Sequence, residues 1–376
     1  MILRIVPMKR ISGRKINNVL LLIHLILGMM VFSAHLLFYP NRVIVAPELN
    51  LKTTTIVQNG GHNGFPDLVY WRGHFYLAFR SAKNHIDQNS SIRILRSSDA
   101  ETWEDIAEFT LGHEDIRDPK FAVVHDELFL YALKNKELVV MPYTTIFSTS
   151  KDGLNWTDWQ DVSPKNWVFW RPKTVDGTYW YVAADNRLGK ESALFSSVDG
   201  INWEKVSTIH SGEFNAEVEL TFLPNRDLLA TVRVEGFEGD PRTLIGQSPY
   251  PYQRWHLASS HLTRLDGASS IVYSDKVFSA GRYERKTLFR AGNLLNQKRT
   301  SIFQVKENKL IWLSDLPSAG DTGYSSVLVV GDTAYIAYYT SDPNHDYPWI
   351  IGQFQPTQIQ LTQIDLNKLI ALADER

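Results

Sequence analysis

A turn of the form Ser-x-Asp-x-x-x-Trp occurs three times with identical spacing, at Ser97-Asp99-Trp103, Ser150-Asp152-Trp156 and Ser197-Asp199-Trp203. A weaker echo runs from Ser248 to Trp255, about one period later. The chemistry is that of a hairpin lock. The Asp carboxylate accepts backbone N–H groups of its own turn, Gly153 and Gly200 supply positive φ, and the Trp buries its ring on the sheet. A second unit recurs with it: two apolar strands joined by a tight polar turn, over 65–79, 119–133, 171–184, 217–232, 267–281 and 323–339. These begin about 46 to 56 residues apart, the period of a four-stranded propeller blade. Their near-continuous apolar character suits strands covered on both faces by neighbouring blades. The repeats predict an all-β fold, a six-bladed β-propeller of four-stranded antiparallel blades over 50–365, with a short C-terminal tail over 366–376.

Ahead of the propeller, Arg4, Lys9, Arg10, Arg14 and Lys15 precede an apolar run from Val19 to Phe38. Twenty helical residues at about 1.5 Å each cover about 30 Å, the thickness of a bilayer core. The small pair Ser33-Ala34 lacks a small residue at Phe32, so retention is expected over signal cleavage. Positive charge on the N-terminal side sets the orientation. The reading is a single-pass signal anchor: 1–18 cytoplasmic, 19–39 transmembrane, and the propeller on the extracytoplasmic side, in a periplasm or at a cell surface.

Lys and Arg number 39 against 41 Asp and Glu, a net charge of −2 that argues against a nucleic-acid partner. Cysteine is absent, which excludes disulfides, thiolate metal sites and a cysteine nucleophile. The histidines show no i, i+3 or i+4 spacing of a zinc site, and no glycine loop between strand and helix suggests a nucleotide. Neither metal nor cofactor is expected.

In an antiparallel hairpin the start of the first strand and the end of the second share one edge. In a propeller that edge rings one mouth of the central channel. The six starts read Asp67, Asp118, Arg171, Glu217 with Glu219, Asp266, and Asp321 with Tyr324; the ends include Arg80, Asp185, Arg233, Arg282 and Tyr338-Tyr339. Acids, arginines and phenols converging at a channel mouth are the pattern of a polar-ligand site. His62 and His85 flank that mouth, and Trp167, Trp170, Tyr250, Tyr252 and Trp349 are candidates either for sugar stacking or for packing between blades.

These residues together resemble the sialidase superfamily of glycoside hydrolases, over nearly all of the chain after residue 55. Glu217-Val218-Glu219-Leu220 and the return strand to Arg233 are similar to the family's strand pair carrying a buried Glu and a clamp arginine. Gly281-Arg282 falls where another clamp arginine is expected. Asp321-Thr322-Gly323-Tyr324 resembles the nucleophile segment, and Asn84-His85-Ile86-Asp87 the loop bearing the acid/base aspartate. The resemblance implies an exo-sialidase-like hydrolase acting on a carbohydrate. Tyr324 would be its nucleophile, Glu217 or Glu219 the base, Asp87 the acid/base, and Arg233 with Arg282 a substrate clamp. A phenol with pKa near 10 needs such a base. Asp67, Arg80, Asp118 and Arg171 would line the mouth and tune which sugar fits. One departure stands out: the family's Phe-Arg-Ile-Pro, source of a third clamp arginine, is replaced by Gly64-Phe65-Pro66-Asp67, and neither Arg80 nor Arg171 is at the matching position. Two alternatives stay open. Asp67, Arg117-Asp118-Pro119 and Glu217 echo the acid trio of five-bladed furanosidase-type glycosidases, and a non-catalytic propeller would bind glycan or protein at the same mouth. The oligomeric state is left open.

Overall fold

The structure is a computed structural model; it describes residues 13–38, 42–135, 144–186, 190–235, 241–260, 264–283 and 296–376. The first twelve residues of the basic segment lie outside them. The chain divides into two units, Met1–Pro40 and Asn41–Arg376. In the first, helix α1 (Gly13–Phe38) is 26 residues long, and its Asn17–Ala34 stretch has a mean hydropathy of 1.9, enough in length and composition to cross a membrane.

The second unit is the six-bladed propeller that the repeats predict. Blade 1 is β2 (His62–Trp71), β3 (His74–Ala82), β4 (Ser91–Ser97) and β5 (Glu104–Thr110). Blade 2 is β6 (Asp115–Val124), β7 (Glu127–Asn135), β8 (Thr144–Ser150) and β9 (Gln160–Asp161). In blade 3 the inner strand is split. Short β10 (Val168–Phe169) and β11 (Lys173–Thr174) both pair with β12 (Trp180–Asn186), followed by β13 (Glu191–Ser197) and β14 (Glu204–Ser211). Blade 4 holds β15 (Asn215–Phe222), β16 (Leu228–Val234), β17 (Arg242–Ser248) and β18 (His256–Ser259). Blade 5 holds β19 (Asp266–Tyr273), β20 (Lys276–Tyr283), β21 (Arg299–Lys306) and β22 (Lys309–Asp315). Blade 6 takes β23 (Thr322–Val330), β24 (Thr333–Ser341) and β25 (Thr357–Asp365) from the C-terminal end and β1 (Lys52–Val57) from the N-terminal end, so the two ends of the chain close the ring by antiparallel pairing.

The core lies in the seams between blades. One apolar cluster joins Phe129, Tyr131 and Phe147 of blade 2 to Trp180, Phe195 and Trp203 of blade 3; others bridge each remaining pair of neighbours. The Ser-x-Asp turns lock these seams. Asp99, Asp152 and Asp199 each accept two backbone N–H groups through Oδ1 at 2.8–2.9 Å, and the Ser hydroxyls accept a third. Gly153 (φ +75°) presses on the preceding blade so closely that a Cβ there would lie 2.3 Å from the Tyr76 hydroxyl. Residues 366–374 make up most of the C-terminal tail. They form helix α2 (Leu366–Asp374), capped by the Asp365 side chain, and it buries Leu366, Leu369 and Leu372 against Ala46 and Leu49.

Candidate active site

Five of the six inner hairpins carry the same irregularity. The register between first and second strands slips between Gly64 and Asp67, Arg117 and Lys120, Ala216 and Glu219, Asp266 and Ser269, and Gly323 and Ser326. Within each bulge one residue has a left-handed backbone: Phe65 (φ 57°), Asp118 (51°), Glu217 (52°), Gly267 (59°) and Tyr324 (49°). Four of these are not glycine, a conformation that costs energy and is typical of residues aimed at functional sites. In blades 1, 2, 4 and 6 the bulge is what re-aims one side chain.

Two of the re-aimed side chains meet. The Tyr324 hydroxyl donates to Glu217 Oε1 at 2.5 Å, an oxygen that Arg233 also contacts, and the Gly267 N–H donates to Glu217 Oε2 at 2.8 Å. Burial opposes ionisation of Glu217, but the Arg233 guanidinium and the phenol donor prevail and hold its carboxyl below the ordinary range. Burial, then the charge of Glu217, pushes the Tyr324 phenol well above its usual value. The pair therefore stands as a protonated phenol on a carboxylate, with Arg233 Nη1 3.3 Å from the phenol oxygen. Tyr324 is ringed by Phe65 (centroids 4.9 Å), Trp170 (5.9 Å) and the Arg282 guanidinium (5.3 Å over the ring).

Asp118 occupies the equivalent bulge of blade 2. Its Oδ1 is buried with no hydrogen-bond partner among the described residues. Burial raises its pKa, Lys120 and Arg117 pull it back, and Glu217 raises it further; the net shift is upward, toward the protonated acid.

The residues two positions beyond the bulges do something different. Four of the five accept a backbone N–H from the next blade: Asp67 Oδ2 from Phe121 (2.7 Å), Glu219 Oε1 from Ser270 (2.9 Å), Ser269 Oγ from Val327 (3.0 Å) and Ser326 Oγ from Leu68 (3.0 Å); the fifth, Lys120, donates to the Pro119 carbonyl instead. Arg171 lies among them, 2.7 Å from Asp67 Oδ1 and 3.1 Å from Glu219 Oε2, and Lys173 is 2.9 Å from Glu219 Oε1. Of the two glutamates expected to activate Tyr324, Glu217 therefore makes the contact, while Glu219 and Asp67 stitch blades together.

Two further expected residues also point elsewhere. Asp87 turns its carboxylate into its own loop, accepting from the N–H groups of Lys83 (3.1 Å) and Asn89 (3.0 Å). Arg80 pairs with Asp115 at 2.9 Å and donates to the carbonyls of Asn84 and Asp87, holding that loop in place. The loop instead delivers His85. Asp321 Oδ2 receives His85 Nδ1 at 2.6 Å and His62 Nε2 at 2.9 Å; its Oδ1 accepts from the Tyr339 hydroxyl and Trp349 Nε1, both at 2.9 Å. Burial, opposed by Asp321, lowers His85 to about 4, so this is a neutral-imidazole network at pH 7. The ligand atoms of His62, His85 and Asp321 lie within 4.8 Å of one another, a group with the composition of a metal site that sequence spacing did not reveal. All of them already hydrogen-bond within the group.

Arg233 and Arg282 converge as expected, but on a carboxylate of the chain itself. Arg282 Nε and Nη2 reach Asp266 Oδ2 at 3.1 and 3.0 Å, and Arg233 Nε is 3.1 Å from Asp266 Oδ1. Arg264 joins them, with Nε 2.6 Å from Oδ1 and Nη2 3.1 Å from Oδ2. Arg264 and its second partner Glu235 (2.8 Å) escaped the sequence reading. The Arg233-x-Glu235 and Arg264-x-Asp266 spacings, which put both members on one strand face, were the available signal. Of the aromatic candidates, Trp170 and Trp349 reach this region, whereas Trp167 packs on Phe195 and Tyr252 on Tyr181.

Among solved structures, a Dyadobacter fermentans protein of unknown function superposes with a TM-score of 0.65 at 17% identity, over 84% of this chain and 99% of that one. A Trypanosoma rangeli sialidase mutant with trans-sialidase activity gives 0.65 at 14%, over 89% of this chain and 61% of that one. The endosialidase of phage phi92 gives 0.63 at 11%, over 85% and 69%. The fold is that of the sialidase propellers. No family model matches the sequence, and no curated protein does. At these identities the sialidase likeness is one of fold, and the chain spans about three fifths of the trypanosomal enzyme's length.

Proposed function

We propose that the protein is a glycoside hydrolase that cleaves an extracytoplasmic glycan through Tyr324, held at a membrane by α1. The observation that carries this is the hydrogen bond from the Tyr324 hydroxyl to the Glu217 carboxylate. In the first step the phenol oxygen attacks the anomeric carbon, its proton passes to Glu217, and the glycosidic C–O bond breaks. The departing oxygen takes a proton from an acid. Asp118 suits that role in place of Asp87, because its burial favours the protonated carboxyl. Water, activated by the same acid now acting as base, then releases the sugar with retained configuration. Arg233, touching both Glu217 and the phenol oxygen, stabilises the charge that develops between them.

Intact-mass and peptide mapping with a panel of 2-fluoro aryl glycosides tests the reading. A covalent adduct on Tyr324 that disappears in Tyr324→Phe supports it. An adduct on Asp67 or Asp118 moves the nucleophile to the furanosidase pattern, and saturable glycan binding without any cleavage makes the propeller a binding module.

A further inference from the structure

We infer that Asp266 is a built-in occupant of the arginine clamp, so that the sugar docked against Tyr324 is a neutral one, without the carboxylate of a sialic or uronic acid. This rests on Tyr324 and Glu217 being the reacting pair. Three arginines do converge here, but all three take the same internal carboxylate. Arg233 has each guanidinium nitrogen beside a carboxylate: Nε on Asp266, Nη1 on Glu217 and Nη2 on Glu235. Arg264 spends Nε and Nη2 on Asp266 and Nη1 on Glu235. Arg282 gives Nε and Nη2 to Asp266, and its Nη1 faces the Thr322 carbonyl at 3.5 Å and Asp321 at 3.9 Å.

Charge and solvent access point the same way. Arg233, Arg264, Arg282 and the neighbouring buried Lys298 are four cations; Glu217, Glu235, Asp266 and Asp321 are four carboxylates. An incoming carboxylate would enter a balanced cluster and would have to displace a buried, multiply paired one. Asp266 is 2% exposed, and no bulk water competes for its partners. The arginine that would add a fifth cation from blade 1 is absent, because Phe65 takes the bulge there. Beside Tyr324 the buried rings of Phe65 and Trp170 form an apolar wall, and the half-buried Trp349, against the Arg282 guanidinium, is the aromatic face that suits the C–H face of an uncharged sugar. The Tyr324–Glu217 pair acts on an anomeric carbon whatever that carbon carries.

The test is titration calorimetry of the full-length protein in detergent with N-acetylneuraminic acid and with glucuronic acid, which reads binding without needing turnover. The wild type is expected to show no saturable binding of either acid. Asp266→Ala, which vacates the clamp, is expected to gain at least about a tenfold affinity for N-acetylneuraminic acid that weakens as salt is raised. Asp266→Asn keeps the side-chain volume and serves as the readout if the alanine variant does not fold. Saturable binding of either acid to wild type, abolished by Arg282→Met, overturns the inference. So does a folded Asp266 variant that gains nothing. Failure to trap Tyr324 with any glycoside would sink the catalytic reading while leaving these titrations to be read on their own.

Discussion

Tyr324 Oη lies 2.5 Å from Glu217 Oε1 although 107 residues separate them in the chain. The contact joins the left-handed residues of two bulges, in blades 4 and 6. Removing the hydroxyl in Tyr324→Phe is expected to lower kcat by about 10³-fold or more, and Glu217→Gln by about 10²- to 10⁴-fold through loss of the proton acceptor. The double variant should be no worse than the poorer single one, since the two groups act as a unit. Steady-state kinetics on the non-fluorinated aryl glycoside of the sugar that labels Tyr324 measures all three. Additive losses would mean that the two residues act separately.

The repeats made the propeller legible because each blade buries the same apolar faces, so the period survives even where identity between blades is low. Symmetry alone also brought Tyr324, Glu217, Arg233 and Arg282 to one mouth. The bulges were not legible. A one-residue slip decides whether position n or n+2 faces the channel, so Glu217 and Glu219 looked equivalent until the Ala216-to-Glu219 slip separated them. The partners of the Asp87 carboxylate were not legible for a related reason. The loop after β3 satisfies its own backbone with that carboxylate and projects His85 instead, a choice set by local hydrogen bonds that spacing does not record.

Asp118 gives the site a pH signature. Its folded pKa is raised, chiefly by burial, whereas that of Glu217 is lowered. The rate should therefore rise on the acid side as Glu217 ionises and fall on the alkaline side as Asp118 loses its proton. Asp118→Asn should lose the alkaline limb and spare the first step for substrates with good leaving groups, while slowing release of the sugar from Tyr324. Stability carries the same sign. A carboxyl with a raised folded pKa contributes no penalty below its unfolded value, and stability declines as pH climbs from about 3.8 through the folded pKa. Asp118→Asn is thus expected to be more stable than wild type at pH 7 and indistinguishable from it below about pH 3.8. Urea unfolding at the two pH values, beside the pH–rate profile, checks both halves.

Gly267 holds the bulge of blade 5 open for the nucleophile. At φ +59° a Cβ would stand 2.7 Å from both Cα and Cγ of Tyr324, and the Gly267 N–H is the donor to Glu217 Oε2. Gly267→Ala should push the phenol off its line to Glu217. The expected cost is about 10²-fold in kcat, the scale of a misplacement of about 1 Å, and about 1–3 kcal/mol in stability from overpacking and strain. Kinetics at a temperature where the variant stays folded separates the two effects; unchanged kcat would show that Tyr324 tolerates the shift.

Asp67 distinguishes a stitch from a catalyst. Both of its oxygens are committed, Oδ2 to the Phe121 N–H and Oδ1 to Arg171, and the side chain is almost fully buried. Truncation in Asp67→Ala leaves Arg171 short of a partner inside the ring and is expected to cost about 3–5 kcal/mol, the usual consequence of breaking a buried ion pair. Ser269→Ala, which removes a neutral stitch to Val327, should cost only about 1 kcal/mol. Thermal unfolding gives the ranking. The kinetic readout then decides the role: if Asp67 only ties blade 1 to blade 2 and to Arg171, the activity per folded molecule of Asp67→Asn stays within about tenfold of wild type. A loss of about 10³-fold with unaltered melting would instead make Asp67 the nucleophile of the furanosidase pattern, and the Tyr324 assignment would fall with it.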